Sequence, residues 1–198
     1  ADAEVVPHPV DEEGIVLNER PCDYYYVTPG HQVPTGVTMS SARRRQLLEH
    51  AARHDAVIIE DDYDSESNFT LNPLPALKAS DRSGRVVYVS SLSKALSPGL
   101  RLGFMVADPD LIDEARALRR LVYRHPPTNI QYQMAHFLAQ GHYETHLRRY
   151  HYDSAQRWER LHAALQRYLP SCRALAGSEH ANAFWLQTPA QINTQQLT

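Results

Sequence analysis

A chain of 198 residues, 42% of them hydrophobic, is long enough to bury a substantial core as one large domain or as a domain plus part of another. No apolar run approaches the ~20 residues that a membrane helix needs, and Ala1-Asp2-Ala3-Glu4 lacks the basic-then-apolar pattern of a signal peptide, so a cytoplasmic protein is expected. A net charge of −3 excludes the electrostatic footprint of a free-standing DNA binder.

In chain order, residues 4–10, 23–28, 56–60, 85–90 and 102–107 are short, rich in Val, Ile and Tyr, and bounded by turn residues; they predict strands. Residues 41–54 carry leucines and alanines at helical spacing behind a Ser40-Ser41 cap, and 109–123 open on an Asp108-Pro109 start signal; both predict helices. This order is that of an α/β layered domain with a largely parallel sheet, whose ligand crevice lies beyond the carboxyl ends of the strands. After Pro126-Pro127 the pattern turns to long helices over 128–140 and 142–168, separated by Gly141, and then to a strand over 181–187. The change predicts a division into a larger domain over 1–140 and a linking helix with the start of a smaller one over 141–198.

Several features read as ordinary. Arg116, Arg119, Arg120, Arg124, Arg148 and Arg149 fall on the predicted helices and suit a solvated face. Cys22 and Cys172 are far apart and form no CxxC pair, which fits two thiols better than a disulfide framework. The pairs His50/His54 and His142/His146 sit four apart on predicted helices, yet neither fills the HExxH glutamate position; exposed helix histidines are expected.

Two segments carry chemistry. Glu60-Asp61-Asp62-Tyr63-Asp64-Ser65-Glu66 crowds carboxylates at the end of an apolar strand, where like charges call for a counter-cation or raised pKa values; a divalent metal site and a solvated turn are the alternatives. Ser90-Ser91-Leu92-Ser93-Lys94-Ala95-Leu96-Ser97-Pro98-Gly99-Leu100-Arg101-Leu102-Gly103 places one lysine in a hydroxyl-rich turn, seven residues before an arginine. A lysine amine condenses with an aldehyde, while hydroxyls and a guanidinium suit a phosphate. Pyridoxal phosphate asks for that combination, together with a carboxylate that keeps its pyridine nitrogen protonated. Asp61 and Lys94 can be that pair, with Asp62 a rival for the nitrogen contact. Tyr63 lies two residues beyond Asp61, on the same side of an extended chain, and can donate its hydroxyl to the cofactor's phenolic oxygen.

These segments, with Thr28-Pro29-Gly30-His31-Gln32-Val33-Pro34-Thr35-Gly36, resemble fold-type I pyridoxal phosphate enzymes of the aspartate aminotransferase superfamily. More narrowly, they look like the aminotransferase-like domain of MocR-type (GabR-like) transcriptional regulators. The resemblance runs from the N-terminus to about Tyr168 and fades beyond it. It implies a three-layer α/β sandwich: a mostly parallel, incomplete large domain followed by the start of a small α+β domain. By it, Lys94 is the Schiff-base lysine, Asp61 the pyridine-nitrogen partner, Tyr63 the phenolic-oxygen partner, and Ser91 and Arg101 the phosphate ligands. His31-Gln32-Val33-Pro34-Thr35-Gly36 departs from the Asn-Pro-Thr-Gly of ordinary aminotransferases, so either Gln32 or Val33 takes the asparagine's place. His-Gln-x-Pro-Ser/Thr-Gly is characteristic of the regulator branch, and leaves His31 and Gln32 as cofactor neighbours.

The same resemblance implies parts that these 198 residues do not supply: an upstream Gly-rich phosphate loop with a ring-stacking aromatic residue and, in the regulators, a winged helix-turn-helix domain before it. The arginine that grips a substrate's α-carboxylate is expected beyond Thr198, and Gly177-Ser178-Glu179-His180-Ala181-Asn182 stands where the family has Gly-Gly-x-His. The expectation is therefore a fragment: pyridoxal phosphate binding through Lys94 in the effector domain of a regulator that senses a small amine or amino acid. It would pair as a homodimer and meet DNA only through the upstream domain. The alternative is a stand-alone class I/II aminotransferase, and whether the chain is an enzyme stays open.

Overall fold

The computed structural model describes residues 3–18, 20–64, 66, 73–174 and 183–192. A short antiparallel hairpin, β1 (Val10–Asp11) and β2 (Gly14–Ile15), precedes β3 (Tyr24–Val27). Helix α1 (Ser41–Arg53) leads to β4 (Val57–Asp62), the short α2 (Leu77–Ser80) to β5 (Val86–Ser91), and a 3-10 turn (Pro98–Leu100) to β6 (Gly103–Val106). Helices α3 (Pro109–Tyr123), α4 (Thr128–Ala139) and α5 (His142–Tyr168) follow, then β7 (Arg173–Ala174) and β8 (Leu186–Gln187), an antiparallel pair.

The central sheet has the order β3-β4-β5-β6, with β3, β4 and β5 parallel and β6 antiparallel to β5. An α/β fold with a mostly parallel sheet is what the sequence predicts. Register follows the burial pattern: Tyr25 and Val27 face the core, as do Ile58 and Val86 beside them, while Tyr24 and Tyr26 stand on the opposite face, each 66% exposed. The core joins Tyr25, Val27, Ile58 and Val86 to Leu47 and Ala51 of α1, Leu77 of α2, and Met39 and Ala56. Helix α1 starts where Ser40 Oγ accepts the Arg43 amide at 3.1 Å, the cap read from sequence.

Three expectations are corrected. Residues 4–10 are not a strand: only Val10 pairs, because Pro7 and Pro9 have no amide to donate to a ladder. The strand expected over 181–187 reduces to Leu186–Gln187 among the described residues; 181 and 182 lie outside them, as does the segment Gly177 to Asn182. His50 is not an exposed helix histidine: it is buried, with Nε2 2.8 Å from the Tyr25 hydroxyl. No described helix is long and apolar enough to cross a membrane.

Candidate functional site

Because β3, β4 and β5 are parallel, their carboxyl ends open on one edge of the sheet, and each releases a chemistry-bearing loop there. The loop after β3 holds His31 and Gln32, the end of β4 holds Asp61, Tyr63 and Asp64, and β5 ends on Ser91, three residues before Lys94.

The acidic run resolves into separate partners. Glu60 and Asp62 share one face of β4, and Asp61 lies on the other with Tyr26. Glu60, buried, accepts the amides of Leu77 and Lys78 at 2.7 and 2.9 Å and so caps α2; burial pushes its carboxyl up against those two bonds. Asp61 accepts the Tyr26 hydroxyl. Asp62 accepts the Tyr88 hydroxyl at 2.8 Å, its carboxyl raised chiefly by burial, and its carbonyl takes the Ser90 hydroxyl at 2.9 Å. Asp64, 2% exposed, receives His31 Nδ1 at 3.0 Å, and Glu66 accepts the Tyr143 hydroxyl at 2.6 Å. The cluster is neither a solvated turn nor, among the described residues, a metal-ligating group.

Lys94 meets this edge directly. Its Nζ lies 3.6 Å from Asp64 Oδ2 and 4.3 Å from the centre of the Tyr63 ring, a cation–π approach. The Tyr63 hydroxyl donates to the His31 carbonyl at 3.2 Å. Burial, then the charges of Asp64, Asp61 and Asp62, lift the Tyr63 hydroxyl to about 12, so it keeps its proton at neutral pH.

The lysine loop is anchored at both ends. The Leu92 amide donates to the Leu102 carbonyl at 3.0 Å, and His146 Nε2 of α5 donates to the Ala95 carbonyl at 2.8 Å. A Cβ at Gly103 would sit 2.7 Å from the Ser90 carbonyl oxygen, so only glycine lets β6 approach β5 at the loop's base. Ser91 Oγ accepts the Ser93 amide at 3.2 Å. Arg101 follows the 3-10 turn in the left-handed region, at φ 47°, with an exposed side chain that forms no ion pair among the described residues.

Asp64 and Tyr63 thus link His31 to Lys94, and Asp61, next to the end of β4, and Ser91, at the end of β5, lie on one face of the sheet. Gln32 bonds within its own turn: its Oε1 accepts the Thr35 hydroxyl at 2.7 Å and the Thr35 amide at 3.3 Å. Sequence reasoning missed Arg44, whose buried guanidinium donates to the carbonyls of Met39 (2.9 Å), Pro75 (2.7 Å) and Pro29 (2.9 Å), tying the loop after β3 to α1 and α2. Tyr26, Tyr88 and His146 were missed as well; none belongs to a local motif.

The family model of class I and II aminotransferases matches residues 27–191. The chain belongs to that family. Among family relatives, the HTH-type transcriptional regulator TauR of Rhodobacter capsulatus is 39% identical over 98% of this chain and 40% of its own length. The probable rhizopine catabolism regulatory protein MocR of Rhizobium meliloti is 40% identical over 85% of the chain and 35% of its own length. The chain thus spans two fifths or less of these regulators. A kynurenine aminotransferase of Pyrococcus horikoshii, solved with PMP, superposes with a TM-score of 0.86 at 26% identity over 97% of this chain and 50% of that one. The fold is that of the fold-type I, aspartate aminotransferase-like family.

Proposed function

We propose that this chain is the pyridoxal phosphate-binding, aminotransferase-like core of a MocR-type transcriptional regulator, and that Lys94 carries the cofactor. The observation that carries the reading is the meeting of the Lys94 amine with Tyr63 at the carboxyl edge of the sheet, where Asp61 and Ser91 lie at or next to the ends of their strands. Identity to TauR and MocR supports the regulator context.

The residues present suit the cofactor's chemistry. When bound, pyridoxal phosphate supplies an aldehyde for a lysine amine and a ring that draws electrons from a substrate's α-carbon. Asp61, a carboxylate on the opposite face of β4 from Asp62, suits the role of keeping a proton on the pyridine nitrogen; each of the two acids accepts a tyrosine hydroxyl, Asp61 that of Tyr26 and Asp62 that of Tyr88. Tyr63, protonated at neutral pH, can donate to the phenolic oxygen by exchanging the His31 carbonyl, which its hydroxyl meets at 3.2 Å, for that acceptor. Arg101 offers a planar fork and Ser91 a hydroxyl for the phosphate. His31 and Gln32 shape the facing loop, His31 through Asp64 and Gln32 through its own turn.

On this reading residues 1–140 form the core of the large domain, and 141–198 the linking helix with the start of the small one. The ligand is a small amine or amino acid, the full-length protein is a cytoplasmic homodimer, and DNA is met through a separate domain. A stand-alone aminotransferase is the second reading, favoured by the superposition on the kynurenine enzyme. Two measurements test the proposal. A Lys94→Ala variant should lose the visible absorbance band that the wild type gains with pyridoxal phosphate; a retained band refutes the lysine assignment. Sequencing the coding region upstream should reveal a helix-turn-helix, and an immediate start codon would instead favour the enzyme.

A further inference from the structure

His31 and Asp64 are among the least exposed polar side chains of the described residues, at 3% and 2%, yet Asp64 lies against a lysine whose side chain is 38% exposed. Two buried, mutually bonded groups at the rim of a site are costly to desolvate unless they complete each other. Here the Asp64 Oδ2 that accepts His31 Nδ1 at 3.0 Å is also the oxygen 3.6 Å from Lys94 Nζ. His31 works in two directions, since its carbonyl accepts the Tyr63 hydroxyl at 3.2 Å while its ring holds Asp64. One residue therefore fixes both neighbours of the amine: the ring beneath it and the carboxylate beside it. The loop that carries His31 is itself held to α1 by Arg44, which donates to the Pro29 carbonyl at 2.9 Å.

We infer that His31 and Asp64 form a positioning pair: His31 orients Asp64, and Asp64 with Tyr63 forms a socket that seats the Lys94 amine at the sheet edge when no cofactor holds it. His31 then serves the site through Asp64 rather than by touching the cofactor. The inference rests on Lys94 being the cofactor lysine.

The sequence supplies an internal control, because it contains two lysines, Lys78 and Lys94, and Lys78 is paired separately with Asp81 at 3.1 Å. In cofactor-free protein an amine-acylating reagent, read by peptide mass spectrometry, gives the labelling rate of Lys94 relative to Lys78. Asp64→Asn should raise that ratio at least threefold by releasing the amine, and slow the appearance of the visible band with pyridoxal phosphate by a similar factor. His31→Leu should do the same, and His31→Asn, which restores a donor near the Nδ1 position, should return most of both effects. Far-UV circular dichroism confirms folding of each variant; if His31→Leu does not fold, Asp64→Asn and His31→Asn still decide the question.

A Lys94 to Lys78 ratio and a capture rate within twofold of wild type in folded Asp64→Asn would overturn the inference. The cofactor assignment fails separately. An unmoved ratio with cofactor still fixed on Lys94 refutes only the positioning pair, whereas a raised ratio with no cofactor on Lys94 supports the socket and refutes the assignment.

Discussion

The region from β3 to β5 and the three helices that follow β6 are built on different terms. In the first, α1 alone buries Arg44, Leu47, His50 and Ala51, and the strands beneath contribute Tyr25, Ile58 and Val86. In the second, α3 and α5 bury no residue and α4 buries only Met134, while Leu118, Leu121, Val122 and Tyr123 of α3 are 62–82% exposed. The site stands on the first region. The second reaches it through a few polar bonds from α5: His146 to the Ala95 carbonyl, and Tyr143 and His151 to Glu66. Geometry at the lysine is therefore set by a packed core, and the long helix adds tethers.

The sharpest way to break this contrast is to delete matched apolar groups. Ile58→Ala, at a fully buried position, should cost about 3 kcal/mol in chemical denaturation, while Leu121→Ala, 82% exposed, should stay within about 0.5 kcal/mol. Equal costs would contradict the division. Arg44→Met comes next: it strips three carbonyls of their donor and should cost about 2–3 kcal/mol, loosening the loop that holds His31.

A pH test probes the seam between α2 and β5. Burial alone would raise the Asp81 carboxyl, but the Val86 amide, the Lys78 ammonium and Ser83 prevail and hold it at about 2 against an ordinary 3.8. Its folded-state value is depressed, so its contribution is complete above 3.8 and disappears as pH falls through about 2. Wild type should lose about 2 kcal/mol over that window relative to Asp81→Asn, measured by denaturation at stepped pH. A parallel decline in both proteins would remove Asp81 from the account. The smallest effect is expected at the tether: His146→Ala should cost about 1 kcal/mol and speed amide exchange in the lysine loop, with core exchange unchanged.

Period and punctuation made most elements legible: β3 to β6 and helices α1, α3, α4 and α5 fall within two residues of the sequence reading. What local reading missed depends on distant partners. Helix α2 is four residues long and is capped by Glu60, seventeen residues earlier, so nothing near Leu77 announces it. The hairpin at Val10 returns on Gly14, where φ is 110° and a Cβ would sit 2.9 Å from Met39 Cγ, a crowding visible only once Met39 is in place. At the site, alternation placed Asp61 on one face of β4, but the pairing of Asp62 with Tyr88 and of Asp64 with His31 joins segments 26 and 33 residues apart. Composition registered a dense negative cluster where the fold gives each acid its own donor.

The central claim is that Lys94 is the residue that holds pyridoxal phosphate. Borohydride reduction of the cofactor-loaded protein, followed by peptide mass mapping, tests it most directly. A pyridoxyl mass on the peptide containing Lys94, and none on that containing Lys78, is the expected result; the adduct on Lys78, or no adduct on Lys94 in protein that retains bound cofactor, would contradict it.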